Sequence, residues 1–291
     1  MATIVSIASG KGGVGKSVVA SNLALLLAKT GKRVIVVDLD TGGANLHVLF
    51  GLFHPPSTLT DFLNNRIKDL AEIAYPVQGC SPLRLIPGTG ETLLTANLPH
   101  SKKKRLIRCL QRLDAELILV DVGAGTHYHA LDFFLLADRY IGVATPDPTS
   151  VVDLYRFIKL AAIRKVLTAF LARDPVAEHL LNQDFHSITE VIEAAGKTHE
   201  SSAEIARSVL HDFRPMLVLN RMTNGSRINT LHLQNLLKQY VGTDLELLGK
   251  IPEDQSVQLS VLNYLPVVEF APSSPAATAF RVIAERLTAK L

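Results

Sequence analysis

The residues best suited to chemistry lie in one octet near the start of the 291-residue chain, Gly10-Lys11-Gly12-Gly13-Val14-Gly15-Lys16-Ser17. Its spacing fits G-x-x-x-x-G-K-[ST], in which glycines let the backbone close around phosphates, the lysine reaches the β- and γ-phosphates and the hydroxyl holds Mg²⁺. Lys16 and Ser17 take those places. The apolar residues Ile4, Val5 and Ile7 precede the octet, and a helix-like run follows it through Val18 to Leu27. A strand, a glycine-rich turn and a helix N-terminus thus converge, with backbone N–H groups and the helix dipole aimed at an anion.

Three carboxylates follow at the ends of apolar runs. Asp38-Leu39-Asp40 closes the run 34–37. Two carboxylates at i and i+2 just past a buried strand are costly unless they serve a cation, a water or a backbone donor; the alternative is that both cap the next turn. Glu116-Leu117-Ile118-Leu119-Val120-Asp121 has the form of a strand ending in a metal-holding aspartate, and Val122-Gly123-Ala124-Gly125 leaves room for a γ-phosphate to draw the loop in. His127 and His129 come next, but an i, i+2 pair lacks the third ligand that zinc sites use.

The elements that must position these groups are legible as apolar runs at 3–9, 33–38, 83–87, 116–121, 139–145, 216–220, 245–251 and 267–270. Most are continuous Val/Ile/Leu stretches separated by helix-like segments. That pattern predicts a doubly wound α/β fold, a mostly parallel sheet with helices on both faces and ligands beyond the strand C-terminal ends. The reading is of one domain over 1–291. Residues 155–214 carry several helical segments, far more than an ordinary crossover, and are read as a helical insertion. Lys102-Lys103-Lys104-Arg105 opens the densest basic stretch, whose apolar positions 106, 107, 110 and 113 predict a surface helix with its charges outward. From 276 to 291 the stripe Phe280, Ile283, Leu287 and Leu291 predicts a core-facing helix.

Composition bounds the classes. The chain is 47% hydrophobic with a net charge of +3, which describes a large core and gives no case for nucleic acid by itself. No apolar stretch approaches the length of about 18 residues that spans a bilayer, no leader precedes the first strand, and the two cysteines, Cys80 and Cys109, form no framework. A cytoplasmic location is expected.

Lys-Gly-Gly-Val-Gly-Lys-Ser, with its early lysine, resembles the deviant phosphate loop of the MinD/ParA family of ATPases. The later order of Asp-x-Asp, Asp121, Asn220-Arg221 and Ile251-Pro252-Glu253-Asp254-Gln255-Ser256 is similar to the same family. The resemblance covers 3–150 and 216–291. It implies a P-loop NTPase fold, ATP and Mg²⁺ as cofactors and slow hydrolysis. It also implies a homodimer formed with ATP, in which Lys11 reaches the partner's nucleotide as an arginine finger does elsewhere. Asp38 would support the Mg²⁺ shell with Ser17 and Asp121, Asp40 would orient the attacking water, and Asn45 belongs to the same segment. Asn220 would face adenine, whose edge an amide can match as both donor and acceptor, and Arg221, Pro252 and Glu253 would close the pocket.

Asp38-Leu39-Asp40-x-Gly-Gly-Ala-Asn-Leu and Asp121-x-Gly-Ala-Gly look most like the FlhG/FleN type, which regulates flagellar number and placement. That type usually carries an N-terminal segment that activates a GTPase partner, and the given chain opens on its first strand. MinD ends in a basic amphipathic tail that binds membrane; here no such anchor is evident after the core helix. The implied function is a switch that positions or regulates a cellular assembly, recruited to a membrane or pole by a partner that stimulates hydrolysis. The alternative is a DNA-partition ATPase of the ParA type. An iron-sulfur carrier would need a C-x-x-C pair, which the sequence lacks.

Overall fold

A computed structural model describes residues 2–40, 43–88, 99–170, 185, 187–198, 200–226 and 228–291. Eight strands form one sheet: β1 (Thr3–Ala8), β2 (Val34–Leu39), β3 (Tyr75–Val77), β4 (Cys80–Ile86), β5 (Leu117–Val122), β6 (Arg139–Ala144), β7 (Pro215–Met222) and β8 (Glu246–Pro252). Their order is β3-β4-β2-β5-β1-β6-β7-β8, and every pair is parallel except the edge hairpin β3/β4. This is the doubly wound sheet that the apolar runs predict.

Strands β2 and β5 are buried along their whole length, which explains why they show no alternation. Successive side chains still face opposite ways. Ile35, Val37, Ile118 and Val120 join one core layer with Phe62, Phe134 and Phe157. Val34, Val36, Leu117 and Leu119 join the other, beneath α1 (Lys16–Lys29) and the C-terminal helix. Register matters most at the C-terminal ends, where Asp38 of β2 lies directly opposite Asp121 of β5.

The remaining helices are α2 (Leu59–Leu63), α3 (His100–Leu110), α4 (Tyr128–Leu135), α5 (Pro148–Phe170), α6 (Ile188–Thr198), α7 (Glu200–His211), α8 (Thr230–Val241), α9 (Gln255–Leu262), α10 (Val267–Phe270) and α11 (Pro275–Thr288). Between β6 and β7 the described chain is helical, and α6 and α7 pack on each other and on α5. Helix α11 starts at Ser274, whose hydroxyl accepts from the Ala277 N–H at 3.1 Å, and buries Phe280, Ile283 and Leu287. No helix among the described residues is long and apolar enough to cross a membrane.

Two sequence expectations need correction, and one strand is added. The run 267–270 is the short helix α10, started by Pro266 with Glu269 in its first turn; a run of four residues carries no period, so strand and helix look alike. Strand β3 lies outside the apolar runs, because a three-residue edge containing Pro76 has almost no strand signal. The charges of α3 do not all face outward. Lys103 is buried and ion-paired with Asp132 of α4, which also pairs with Arg164 of α5 at 2.9 Å. Arg105 is drawn over the Phe62 ring at 4.1 Å. Lys104, Arg108 and Arg112 remain exposed.

Candidate nucleotide-binding site

The glycine-rich octet forms the turn between β1 and α1. Gly13 and Gly15 hold φ of +78° and +88°, the left-handed region where side chains are strained. Gly15 is the N-cap of α1, whose first turn contains no acidic residue to compete for its free N–H groups. The loop is wedged from two sides. A Cβ on Gly10 would come within 2.1 Å of the Asp153 backbone in α5, and one on Gly15 within 2.4 Å of Asn220 Nδ2 at the end of β7. Val14 is buried between them.

Lys16 is buried to 6% exposure, and its ammonium stands 3.9 Å from Asp40 Oδ2. Asp40 in turn lies against the loop after β5: a Cβ on Gly123 would come within 3.2 Å of Asp40 Oδ1. That loop is tied to the phosphate turn by the Gly125 N–H, which donates to the Ser9 carbonyl at 3.3 Å.

Asp38 and Asp121 share a buried corner but differ in how they are satisfied. Asp38 accepts from the Asp40 and Leu46 N–H groups at 3.0 and 3.1 Å, so it shapes the segment that carries Asp40. Its pKa is raised well above the ordinary value by burial and by the Asp121 charge. Asp121 is fully buried, and neither of its oxygens has a partner with hydrogen-bond geometry. Burial lifts its pKa to about 6; Lys16 and the nearby Ser17 hydroxyl draw it down, and Asp40 pushes it up. An unsatisfied buried carboxylate beside a serine at a phosphate turn fits a hydrated divalent cation, and the residues present therefore suit Mg²⁺ bound with a nucleotide.

Lys11 pairs with the turn that opens α5. Its ammonium donates to Asp147 Oδ1 at 2.8 Å and to Thr149 Oγ1 at 2.9 Å. Asp147 also accepts from the Ser150 N–H at 2.8 Å, and its carboxyl is held well below the usual range by Lys11 first and by Thr145 and Thr149 after it. A hollow of about 660 Å³ runs from Lys11 and Gly12 past Asp147 to Thr223.

Behind the loop a cleft of about 410 Å³ is bounded by Val18, Asn220, Arg221, Pro252, Glu253 and Val257. The mouth is fixed by a bidentate pair: Arg221, at φ +60°, donates to the Glu253 carboxylate at 2.9 and 3.4 Å. Asn220 donates to the Val14 carbonyl at 2.8 Å.

The fold thus gathers Gly10 to Val18, Asp38, Asp40, Asp121, Asn220, Arg221, Pro252 and Glu253 around one site. Asn45 is exposed and donates to the Gly43 carbonyl at 3.1 Å, and Thr41 and Gly42 lie outside the described residues. Three further residues support the site in roles that the sequence alone does not give. Asp147 holds Lys11. Gly88 lets β4 approach, since a Cβ there would come within 2.9 Å of the Asp38 carboxyl carbon. Asp254 caps α9 through the Ser256 N–H at 2.8 Å and holds the start of α11 through the Ala276 N–H at 3.0 Å. Asp147 and Asp254 stood in conspicuous Pro-Asp and Glu-Asp steps; Gly88 carried no signal.

Comparison with known proteins gives the same answer. The CobQ/CobB/MinD/ParA nucleotide binding domain matches residues 5–267. The antiactivator FleN of Pseudomonas aeruginosa is 28% identical over 98% of this chain and 85% of its own. The septum site-determining protein MinD of Escherichia coli is 27% identical over 92% of this chain and 84% of its own. The structure of septum site-determining MinD from Pyrococcus horikoshii, complexed with Mg-ADP, superposes with a TM-score of 0.70 at 25% identity, covering 99% of this chain and 96% of that one. The matched span runs through the glycine-rich turn, both aspartate loops, Asn220 and the cleft behind the turn, and the chain belongs to the CobQ/CobB/MinD/ParA nucleotide binding domain family.

Proposed function

We propose that this chain is a MgATP-binding switch that dimerises with ATP, hydrolyses it slowly and in one nucleotide state engages a partner, as a spatial regulator of the MinD and FleN kind. The observation that carries the reading is Asp121, a buried carboxylate without a hydrogen-bond partner, set beside Ser17 and Lys16 at the opening of α1. Mg²⁺, when bound with the nucleotide, would neutralise phosphate charge. Ser17 and Asp121 would hold its shell while Asp38 keeps the neighbouring segment in place. Lys16 would meet the β- and γ-phosphates, and Asp40, already beside Lys16, would orient the attacking water. Lys11 would exchange Asp147 for the nucleotide of a second copy. That step makes dimer formation depend on ATP.

MinD and the flagellum site-determining YlxH of Helicobacter pylori, 36% identical over 55% of this chain, bear names of site determination, and FleN is named an antiactivator. That supports a role in positioning or regulating an assembly, with a protein partner that stimulates hydrolysis and recruits the switch to a membrane or pole. The reading treats 1–291 as one ATPase domain, with 155–214 as the part elaborated for this role. A DNA-partition reading loses ground because Lys103 and Arg105 are engaged inside the fold.

The test is calorimetric ATP titration of the parent chain and of Lys16→Ala. The parent binds ATP in the presence of Mg²⁺, and the variant, which leaves triphosphate charge unmatched, does not. Equal affinity in the two would overturn the assignment.

A further inference from the structure

Asn220 stands between the base cleft and the phosphate turn, and the orientation of its amide is fixed. The group facing the Val14 carbonyl must be the N–H₂, because a carbonyl only accepts. The contact is buried: Asn220 is 7% exposed and Val14 1%. The same nitrogen lies 2.4 Å from the place of a Cβ on Gly15. Gly15, at φ +88°, is the N-cap from which α1 presents its N–H groups. Val14 is the residue between the two left-handed glycines, so its carbonyl direction sets where the neighbouring N–H groups point. No other side chain among the described residues hydrogen-bonds to the Val14 carbonyl.

We propose that Asn220 is a positioning residue for the phosphate turn: its amide nitrogen holds the Val14 carbonyl and thereby sets the anion cradle, whether or not a base fills the cleft. This rests on the reading of the site as an ATP site and assigns Asn220 a part beyond facing adenine. It also explains the glycine at 15 twice over, by its backbone angle and by the space that the amide occupies.

The experiment separates phosphate from base. Inorganic tripolyphosphate with Mg²⁺ and ATP with Mg²⁺ are each titrated against the parent, Asn220→Ala and the near-isosteric, uncharged Asn220→Leu, which keeps the volume and removes the donor. Failure of the parent to bind ATP would refute the site reading itself. Given parental binding, the inference expects tripolyphosphate affinity to fall about three- to tenfold in both variants, the worth of one hydrogen bond. The melting temperature of the ligand-free chain checks that each variant is folded, and because tripolyphosphate carries no base, a loss of its affinity cannot come from the adenine contact. Tripolyphosphate affinity unchanged in the folded Asn220→Leu chain would overturn the inference, whatever happens to ATP.

Discussion

Replacing Asp121 by asparagine should stabilise the ligand-free chain while disabling it. The carboxylate is fully buried and without a well-aligned partner, and its pKa stands at about 6 against 3.8 ordinarily. Between those two values the unfolded chain has lost this proton and the folded chain still holds it. Ionisation is therefore harder in the folded state, and stability falls as pH rises from about 4 to 6 and stays reduced above. A difference of this size corresponds to about 3 kcal/mol at 1.36 kcal/mol per pKa unit. Asp38, raised by burial and by the Asp121 charge, is relieved in the same direction. Asp121→Asn should thus raise the melting temperature at pH 7.5 by roughly 5–10 °C, with the gain vanishing toward pH 4. Adding Mg²⁺ and nucleotide should restore the parent far more than the variant. Scanning calorimetry across pH 4–8 decides. A variant that melts at or below the parent at pH 7.5, or a gain that does not change with pH, would refute the account of this carboxylate.

Asp40→Ala should bind ATP within a fewfold of the parent yet lose turnover, because the carboxylate touches the attacking water in the proposed scheme and not the phosphates; a phosphate-release assay with normal turnover would contradict this. Asp132→Asn leaves Lys103 and Arg164 facing a neutral amide in a site where all three side chains are at most 20% exposed, and should cost about 3–5 kcal/mol; an unmoved urea midpoint would show the triad to be unimportant. Helix α11 has its apolar stripe packed on the sheet, with Arg286 donating to the Leu248 carbonyl at 3.0 Å and Lys290 paired with Glu246 at 2.8 Å. The chain should therefore not sediment with anionic vesicles through this helix, and sedimentation that Arg281→Glu and Lys290→Glu together abolish would contradict that.

The parts of the site that follow from local chemistry were legible in the sequence. The octet 10–17 demands glycines at fixed places, and apolar runs ending at Asp38, Asp121 and Asn220 mark strand ends wherever the strands sit. Pairings across the sheet were not legible. Nothing in the sequence places Asp121 opposite Asp38, directs Lys11 to Asp147 or brings Gly88 against Asp38, since each depends on strand order. The inward turn of Lys103 had the same origin: the helical period of α3 is correct, but its buried face includes a cation because Asp132 waits on another helix. The run 267–270 failed for the opposite reason, being too short for any period to show.

The claim most directly open to measurement is that ATP joins two copies. Light scattering of Asp40→Ala, loaded with MgATP and separately with MgADP, gives the answer. The account predicts twice the 31.7 kDa chain mass with ATP and the single mass with ADP; a single mass in both, or the doubled mass in both, would contradict it.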